Sequence, residues 1–140
     1  MSINNISFIL HKPQLSENIG ACARGIKNFN FKKLILVDPK PTFPNDKILA
    51  TSVGAKNIIK NSKVFTNLES ALENIDYVIA TSARFRNKNL KHIKLNDLNK
   101  INFKKKLVFC LVLRLQDCQI VKLVMQIVLY KYPLILNLNH

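Results

Sequence analysis

A chain of 140 residues is long enough to bury the core of one domain and too short for a multidomain enzyme. Its 22 Lys and Arg against 8 Asp and Glu give a net charge of +14, which favours a polyanionic partner because these cations displace counterions from phosphates. A second explanation stays open, since the A/T-rich codons of Lys, Asn and Ile would alone produce part of this charge.

The predicted elements alternate between strands and helices. In chain order they are a strand at 6–10, a helix at 17–29, a strand at 34–37, a helix after Asn45 or Asp46 that is loosened at Gly54, a short strand at 64–65, a helix capped by Thr66 or Asn67, and strands at 77–80 and 107–113. This alternation predicts an α/β fold, a mostly parallel sheet with helices on both faces. Ligands in such sheets bind beyond the carboxyl ends of the strands, here after Leu10, Val37 and Ala80.

The stretch NIGACARGIKNFNF at residues 18–31 predicts an amphipathic helix. The apolar stripe expected to seat it on the sheet consists of Ile19, Cys22, Ala23, Ile26 and Phe29, and the opposite face carries Gly20, Arg24, Lys27 and Asn28. A solvated polar face is the ordinary explanation. The functional one is that Asn18, Arg24 and Asn28 grip a phosphate or ribose, because arginine is a planar, permanently charged donor.

A second polar group, TSARFR, follows the strand predicted at 77–80. The hydroxyl groups of Thr81 and Ser82 and nearby backbone N–H groups could hold a small ligand, with Arg84 and Arg86 available for RNA phosphates. A capping or solvated cluster is the alternative. The sequence contains no G-x-S-x-G, Walker, G-x-G-x-x-G or H-E-x-x-H motif, and its scattered histidines are expected to be non-catalytic.

Three cysteines without C-x-x-C spacing predict neither a disulfide framework nor a metal site, and they favour a reducing cytoplasm. The first ten residues lack the features of a signal peptide. Charges interrupt the apolar C-terminal segment, so no membrane span is expected. A protein that uses this basic, apolar segment at a membrane surface is a weaker alternative.

In this order, ENIGACARGIKNFNFKKLILVDPK, ATSVGAKNII, LESALENIDYVIATSARFR and KLVF resemble the N-terminal part of the SpoU (TrmH-like) ribose 2'-O-methyltransferases of the SPOUT superfamily, and most closely the TrmJ branch. The resemblance covers about residues 6–109, and its first motif, N-x-G-x-x-x-R-x-x-x-N-F, is specific. It implies methylation of a 2'-hydroxyl on RNA, chiefly tRNA, by an S-adenosyl-L-methionine-dependent homodimer with a trefoil-knotted cofactor site.

By position, the resemblance implies roles in catalysis and substrate handling for Asn18 and Arg24, and cofactor contacts for Thr81, Ser82 and Ala83. We expect Arg24 to orient a phosphate and stabilise a developing oxyanion and not to act as a base, because a guanidinium keeps its proton. The predicted RNA-binding residues are Lys27, Asn28, Arg84 and Arg86.

After LVF the family continues with a glycine-rich segment like G-P-E-x-S-G-L-S-N-x-E-I and then I-P-x-N-P-x-F-x-S-L-N, and this chain has neither. Residues 112–122 read VLRLQDCQIVK. One choice of codons for this stretch, read in a frame that starts one base earlier with a G, encodes GPEASGLSNCE. The tail from Tyr132 regroups in the same direction into IPINPKFKS. We therefore predict the N-terminal part of a methyltransferase domain at 1–109 and an out-of-frame apolar tail at 110–140.

Two consequences follow from this tail. The family's final helix, which helps to pair the subunits, is absent, so this chain is not expected to form the homodimer. The alternative function is a catalytically inactive, frameshifted remnant with at most non-specific RNA binding.

Overall fold

The computed structural model describes residues 3–82, 91–93, 95–112 and 126–131. The strands are β1 (Ile6–His11), β2 (Leu34–Val37), β3 (Lys63–Phe65), β4 (Tyr77–Ser82), β5 (Lys91–Ile93), β6 (Leu107–Val112) and β7 (Gln126–Lys131). The α-helices are α1 (Ser16–Asn28), α2 (Asp46–Thr51), α3 (Lys56–Lys60) and α4 (Leu68–Leu72), and short 3-10 helices lie at Ile3–Asn5 and Leu95–Lys100.

These strands form one sheet in the order β3-β2-β1-β6-β4-β7-β5. The first five strands in this order, β3, β2, β1, β6 and β4, pair in parallel with their neighbours. Strand β7 is antiparallel to both β4 and β5. The predicted α/β class with a mostly parallel sheet is therefore confirmed.

Helices cover both faces of the sheet because alternate residues of each buried strand point to opposite sides. On one face, α1, α2 and α3 pack on Leu10, Leu34 and Leu36. On the other face, α4 packs on Ile9 and Val37 together with residues of β4 and β6. Both layers are apolar, so the sheet is buried as the continuous hydrophobic runs of the sequence indicate.

Helix capping follows the sequence closely. The Asn45 side chain accepts a hydrogen bond from the Ile48 N–H at 2.9 Å and begins α2, and Asn67 caps α4 through the Ser70 N–H at 2.8 Å. The single helix predicted after Asn45 is two helices, because the chain turns at Gly54 with a φ of 76° before α3 begins.

The sheet extends beyond the boundary predicted at residue 109. β6 continues to Val112, and β7 comes from the segment predicted as a tail. Six residues of β7 pair with β4 in register, from Tyr77 opposite Lys131 to Ser82 opposite Gln126. The residues QIVLYK have high strand propensity whatever the origin of the segment. This propensity accounts for the pairing of β7 with the side of β4 that β6 leaves open. The out-of-frame origin of the tail stays a prediction.

Candidate functional site

Helix α1, which carries most of the predicted site, packs directly on α2 through Gly20. A β carbon at Gly20 would lie 2.0 Å from Thr51 Oγ1 and 2.9 Å from the Ile48 carbonyl oxygen, so only glycine permits this approach. The prediction that Gly20 lies on the polar face with Arg24 is therefore wrong. Helical periodicity predicts the face of α1 that packs on the sheet, but it does not predict the contact between α1 and a second helix.

Phe29 does not seat α1 on the sheet as predicted, since it is 77% exposed. The helix ends at Asn28, and Asn30 turns the chain with a φ of 62°. Phe31 fills the core instead and packs edge-to-face on Phe8, with ring centroids 5.1 Å apart. The buried residues of the helix are Ile19, Gly20, Ala23 and Ile26.

The beginning of α1 is held against α2 by two polar contacts. The Asn45 amide donates to Ser16 Oγ at 3.0 Å, and Lys47 Nζ lies 2.6 Å from Glu17 Oε1. The hydrogen bond from Lys47 lowers the pKa of Glu17 below its ordinary value. These contacts fix the end of α1 that precedes Asn18.

Asn18 and Arg24, the predicted catalytic pair, lie on opposite flanks of the solvent-facing side of α1. A separation of six residues in an α-helix corresponds to about 120° around its axis and about 9 Å along it. Arg24 is exposed and Asn18 half-buried, and neither side chain has a hydrogen bond or ion pair with another described residue. Both side chains are therefore available to a ligand, on separate parts of the surface.

Of the other predicted RNA-binding residues, Lys27 and Asn28 lie exposed in the last turn of α1. Lys27 Nζ donates a hydrogen bond to the Gly54 carbonyl, which positions its charge beside the turn between α2 and α3. The pair therefore continues the polar surface from Arg24 towards the C-terminal end of the helix.

The cofactor contacts predicted at Thr81 and Ser82 fall within β4, which continues two residues beyond the predicted strand end at Ala80. Thr81 has a backbone partner on each side, Leu111 in β6 and Ile127 in β7. Ala83, Arg84 and Arg86 lie outside the described residues. The roles of all five stay predictions.

Three polar residues, His11, Lys12 and Asp38, lie at the carboxyl ends of β1 and β2. Lys12 and Asp38 have left-handed backbones, with φ values of 52° and 46°, and their N–H groups bond the Val37 and Phe65 carbonyls at 2.8 Å. Burial and the positive charge of Lys12 lower the pKa of His11 below its ordinary 6.5, against the opposing charges of Asp38 and Glu69. These three residues lie at two of the three strand ends, after Leu10 and Val37, where the sequence predicts ligand binding.

The lowered pKa of His11 predicts a pH-dependent loss of stability that His11→Gln removes. As the pH falls through about 6.5, the unfolded chain binds its proton before the folded protein does, so the free energy of unfolding falls. We expect the wild-type protein to lose stability relative to the variant between about pH 7.5 and pH 5, as measured by urea unfolding. Parallel pH profiles would contradict this expectation.

Across the described ranges, no group of three or more His, Cys, Asp and Glu side chains is arranged to hold a metal ion. No helix in that part of the chain is long and apolar enough to cross a membrane. Cys22 and Cys110 are free thiols, and burial raises the pKa of each to about 11, so neither is an activated nucleophile.

This sheet, with α1 packed on it and Asn18 and Arg24 on the outer side of that helix, has the fold of solved methylases. The model of the SpoU rRNA Methylase family matches residues 5–111, and the chain belongs to this family.

Two curated proteins illustrate the similarity. The chain is 38% identical over 89 residues to the tRNA (cytidine-2'-O-)-methyltransferase TrmJ of Methanocaldococcus jannaschii, which covers 63% of this chain and 38% of that protein. It is also 38% identical over 84 residues to an uncharacterized tRNA/rRNA methyltransferase of Haemophilus influenzae, covering 60% of this chain and 34% of that protein. The matches thus span little more than a third of these relatives.

Among solved structures, TrmJ from Z. mobilis ZM4 superposes with a TM-score of 0.68 at 27% identity, covering 79% of this chain and 53% of that one. A probable methylase family protein from Haemophilus influenzae gives a TM-score of 0.63 at 28% identity, with 79% and 46% coverage. The chain therefore has the fold of about half of each structure.

Proposed function

We propose that residues 5–111 are the substrate-binding part of an S-adenosyl-L-methionine-dependent tRNA ribose 2'-O-methyltransferase of the TrmJ kind. The observation that carries the proposal is the match of the family model to these residues, including the helix that presents Asn18 and Arg24. Relatives named tRNA 2'-O-methyltransferases support the choice of reaction and of tRNA.

In this proposal the residues of α1 handle the ribose and its phosphate. Arg24 is exposed and free of ion pairs with described residues, so its guanidinium can bind a phosphate and stabilise negative charge on the 2'-oxygen. Asn18 lies on the other flank of the helix, where its amide can donate to or accept from a ribose. Methyl transfer is a displacement, so alignment of the reacting groups is the main contribution expected of the protein.

In this proposal the described residues supply one side of a cofactor site and not the other. Thr81 and Ser82 end β4 at the carboxyl edge, where the predicted cofactor loop begins. The backbone of Thr81, however, is flanked by strands on both sides, and the sequence has no glycine after Gly54 to form the glycine-rich segment. S-adenosyl-L-methionine supplies the methyl group in the family reaction, and the glycine-rich part of its expected binding site has no counterpart in this sequence.

This mismatch favours a second candidate for the chain as written, a catalytically inactive remnant that binds RNA through its basic surface. The exposed cations Arg24, Lys27 and Lys32 would bind phosphates without any cofactor. The methyltransferase function then applies to a domain in which the glycine-rich segment is translated in the correct frame.

Transfer of a labelled methyl group from S-adenosyl-L-methionine to tRNA separates the two candidates. Transfer by this chain, lost in Arg24→Ala and absent on tRNA with 2'-deoxyribose at the acceptor position, would establish the methyltransferase. RNA binding that weakens steeply with salt, without transfer, would establish the remnant. A melting curve for the Arg24→Ala protein controls for unfolding, because an exposed residue should change stability little.

We also propose a cytoplasmic location, in keeping with the free thiols of Cys22 and Cys110. RNA is the proposed partner. Pairing of two subunits stays an open proposal for the complete family domain.

A further inference from the structure

A pocket with a mixed polar and apolar lining lies at the amino-terminal edge of the sheet, at the opposite end of β2 from the predicted cofactor edge. Its volume is about 240 Å³, and its polar lining consists of Lys27, Asn30, Lys32, Asn57 and Asn61. We call it the asparagine pocket. At about 3.3 Å per residue, the four residues of β2 separate the two edges by roughly 13 Å.

The pocket is built where α1 and α3 both end. Asn30 adopts a left-handed backbone, φ 62°, that turns the chain after α1, and Asn61 caps the C-terminus of α3. Phe31 and Ile58 form an apolar floor, and both belong to the core on that face of the sheet. The floor is therefore fixed, while the amides lie at the surface.

The chemistry of the lining suits a nucleobase. The side-chain amides of Asn30, Asn57 and Asn61 have no hydrogen-bond partner among the described residues. Each amide offers both donors and acceptors, the combination that pairs with base edges. Phe29, next to Asn30, is 77% exposed, and an exposed aromatic ring is the side chain on which unstacked RNA bases pack.

The charge around the pocket suits the phosphates of the same nucleotide. Residues 18–37 and 47–68, which include every residue that lines it, contain no Asp or Glu. Lys27 and Lys32 line the pocket, and Lys33, Lys56 and Lys60 are adjacent in sequence to lining residues. A solvated lysine surface would bind phosphate alone, whereas the amide lining adds groups that can recognise a base.

We propose that the asparagine pocket is the base-binding part of this RNA surface, where one unstacked nucleotide binds with its base on the amides and its phosphates on Lys27 and Lys32. The inference rests on the RNA binding in the proposed function and adds recognition of a base, which needs neither the cofactor nor methyl transfer.

The test is binding of a fluorescent single-stranded RNA oligonucleotide to the full chain and to Asn57→Ala/Asn61→Ala. We expect the affinity to fall about tenfold with an unchanged salt dependence, because the variant removes base contacts and no charge. Asn74→Ala is the matched control, an exposed asparagine remote from the pocket, and should bind as the wild type does. Lys32→Ala should instead reduce the slope of log K against log salt by about one.

Inorganic polyphosphate serves as a competing probe. Equal affinity of the double variant and Asn74→Ala would overturn the proposal, as would an equal loss of affinity for polyphosphate, which has no base. Melting curves of both variants control for folding. Arg24→Ala separates this inference from the proposed function, because it tests methyl transfer without altering the pocket.

Discussion

Gly20→Ala is expected to destabilise the protein by about 3 kcal/mol, although alanine is the better helix former by about 1 kcal/mol. The new β carbon would lie 2.0 Å from Thr51 Oγ1, 2.8 Å from Thr51 Cβ and 2.9 Å from the Ile48 carbonyl oxygen. Two of these atoms belong to the framework of α2, so rotation of the Thr51 side chain relieves only one contact. The helices must therefore separate.

Separation is costly because α2 is held on several sides. Ile48 is fully buried, and Asn45 at the start of α2 bonds both Ser16 and the Thr42 carbonyl. Thr51 Oγ1 itself donates to the Lys47 carbonyl at 2.8 Å. Moving α2 away from α1 would open a gap in the core that Ile48 now fills.

Urea unfolding measures the effect, with Gly25→Ala as the matched control. Gly25 lies in the same helix, and a β carbon added there would meet no atom within 4 Å, so alanine at this position should stabilise by up to about 1 kcal/mol. Thr51→Ala should restore part of the loss in Gly20→Ala, since it removes the atom at 2.0 Å. Equal stabilities of the two glycine variants would show that α1 and α2 are not in this contact.

The sequence predicted those elements whose signals are local. Short apolar runs indicated β1, β2 and β4, and the caps at Asn45 and Asn67 are the residues expected to begin helices. Gly20 and Phe29 were assigned to the wrong surfaces, because the packing of α1 on α2 and the turn at Asn30 depend on residues distant in sequence or on backbone geometry.

The sequence predicts which motif residues belong to the candidate site and which strand ends carry them, but not how these residues are arranged in space. Arg24 is exposed on α1, as its place in the polar stripe indicates, but periodicity also shows that Asn18 lies on the other flank. Thr81 and Ser82 were expected in a loop and lie in β4, since strand pairing with β6 and β7 extends the element. The asparagine pocket combines residues from two helix ends, and no sequence pattern connects them.

Restoring the reading frame is expected to change cofactor affinity from none detectable to measurable. The restored protein keeps residues 1–109 and continues with the regrouped glycine-rich segment in place of the present tail. In the chain as written, Thr81 and Ser82 can supply only a few hydrogen bonds of about 1 kcal/mol each, which do not offset the ordering and desolvation costs of binding. Glycines let the backbone approach a ligand closely, and Leu111 and Val112 end β6 where the glycine-rich segment is expected.

Calorimetric titration of S-adenosyl-L-methionine into both proteins measures the difference, and resequencing the gene across the codons for residues 103–117 establishes which frame is natural. A restored protein with valine at the first restored glycine is the matched control and should lose the affinity again, because a side chain would block the close approach of the backbone. Far-ultraviolet circular dichroism of all three proteins shows whether the sheet and helices are retained. Comparable affinity in the chain as written would mean that β7, paired along the whole of β4, builds a working cofactor site together with Thr81 and Ser82.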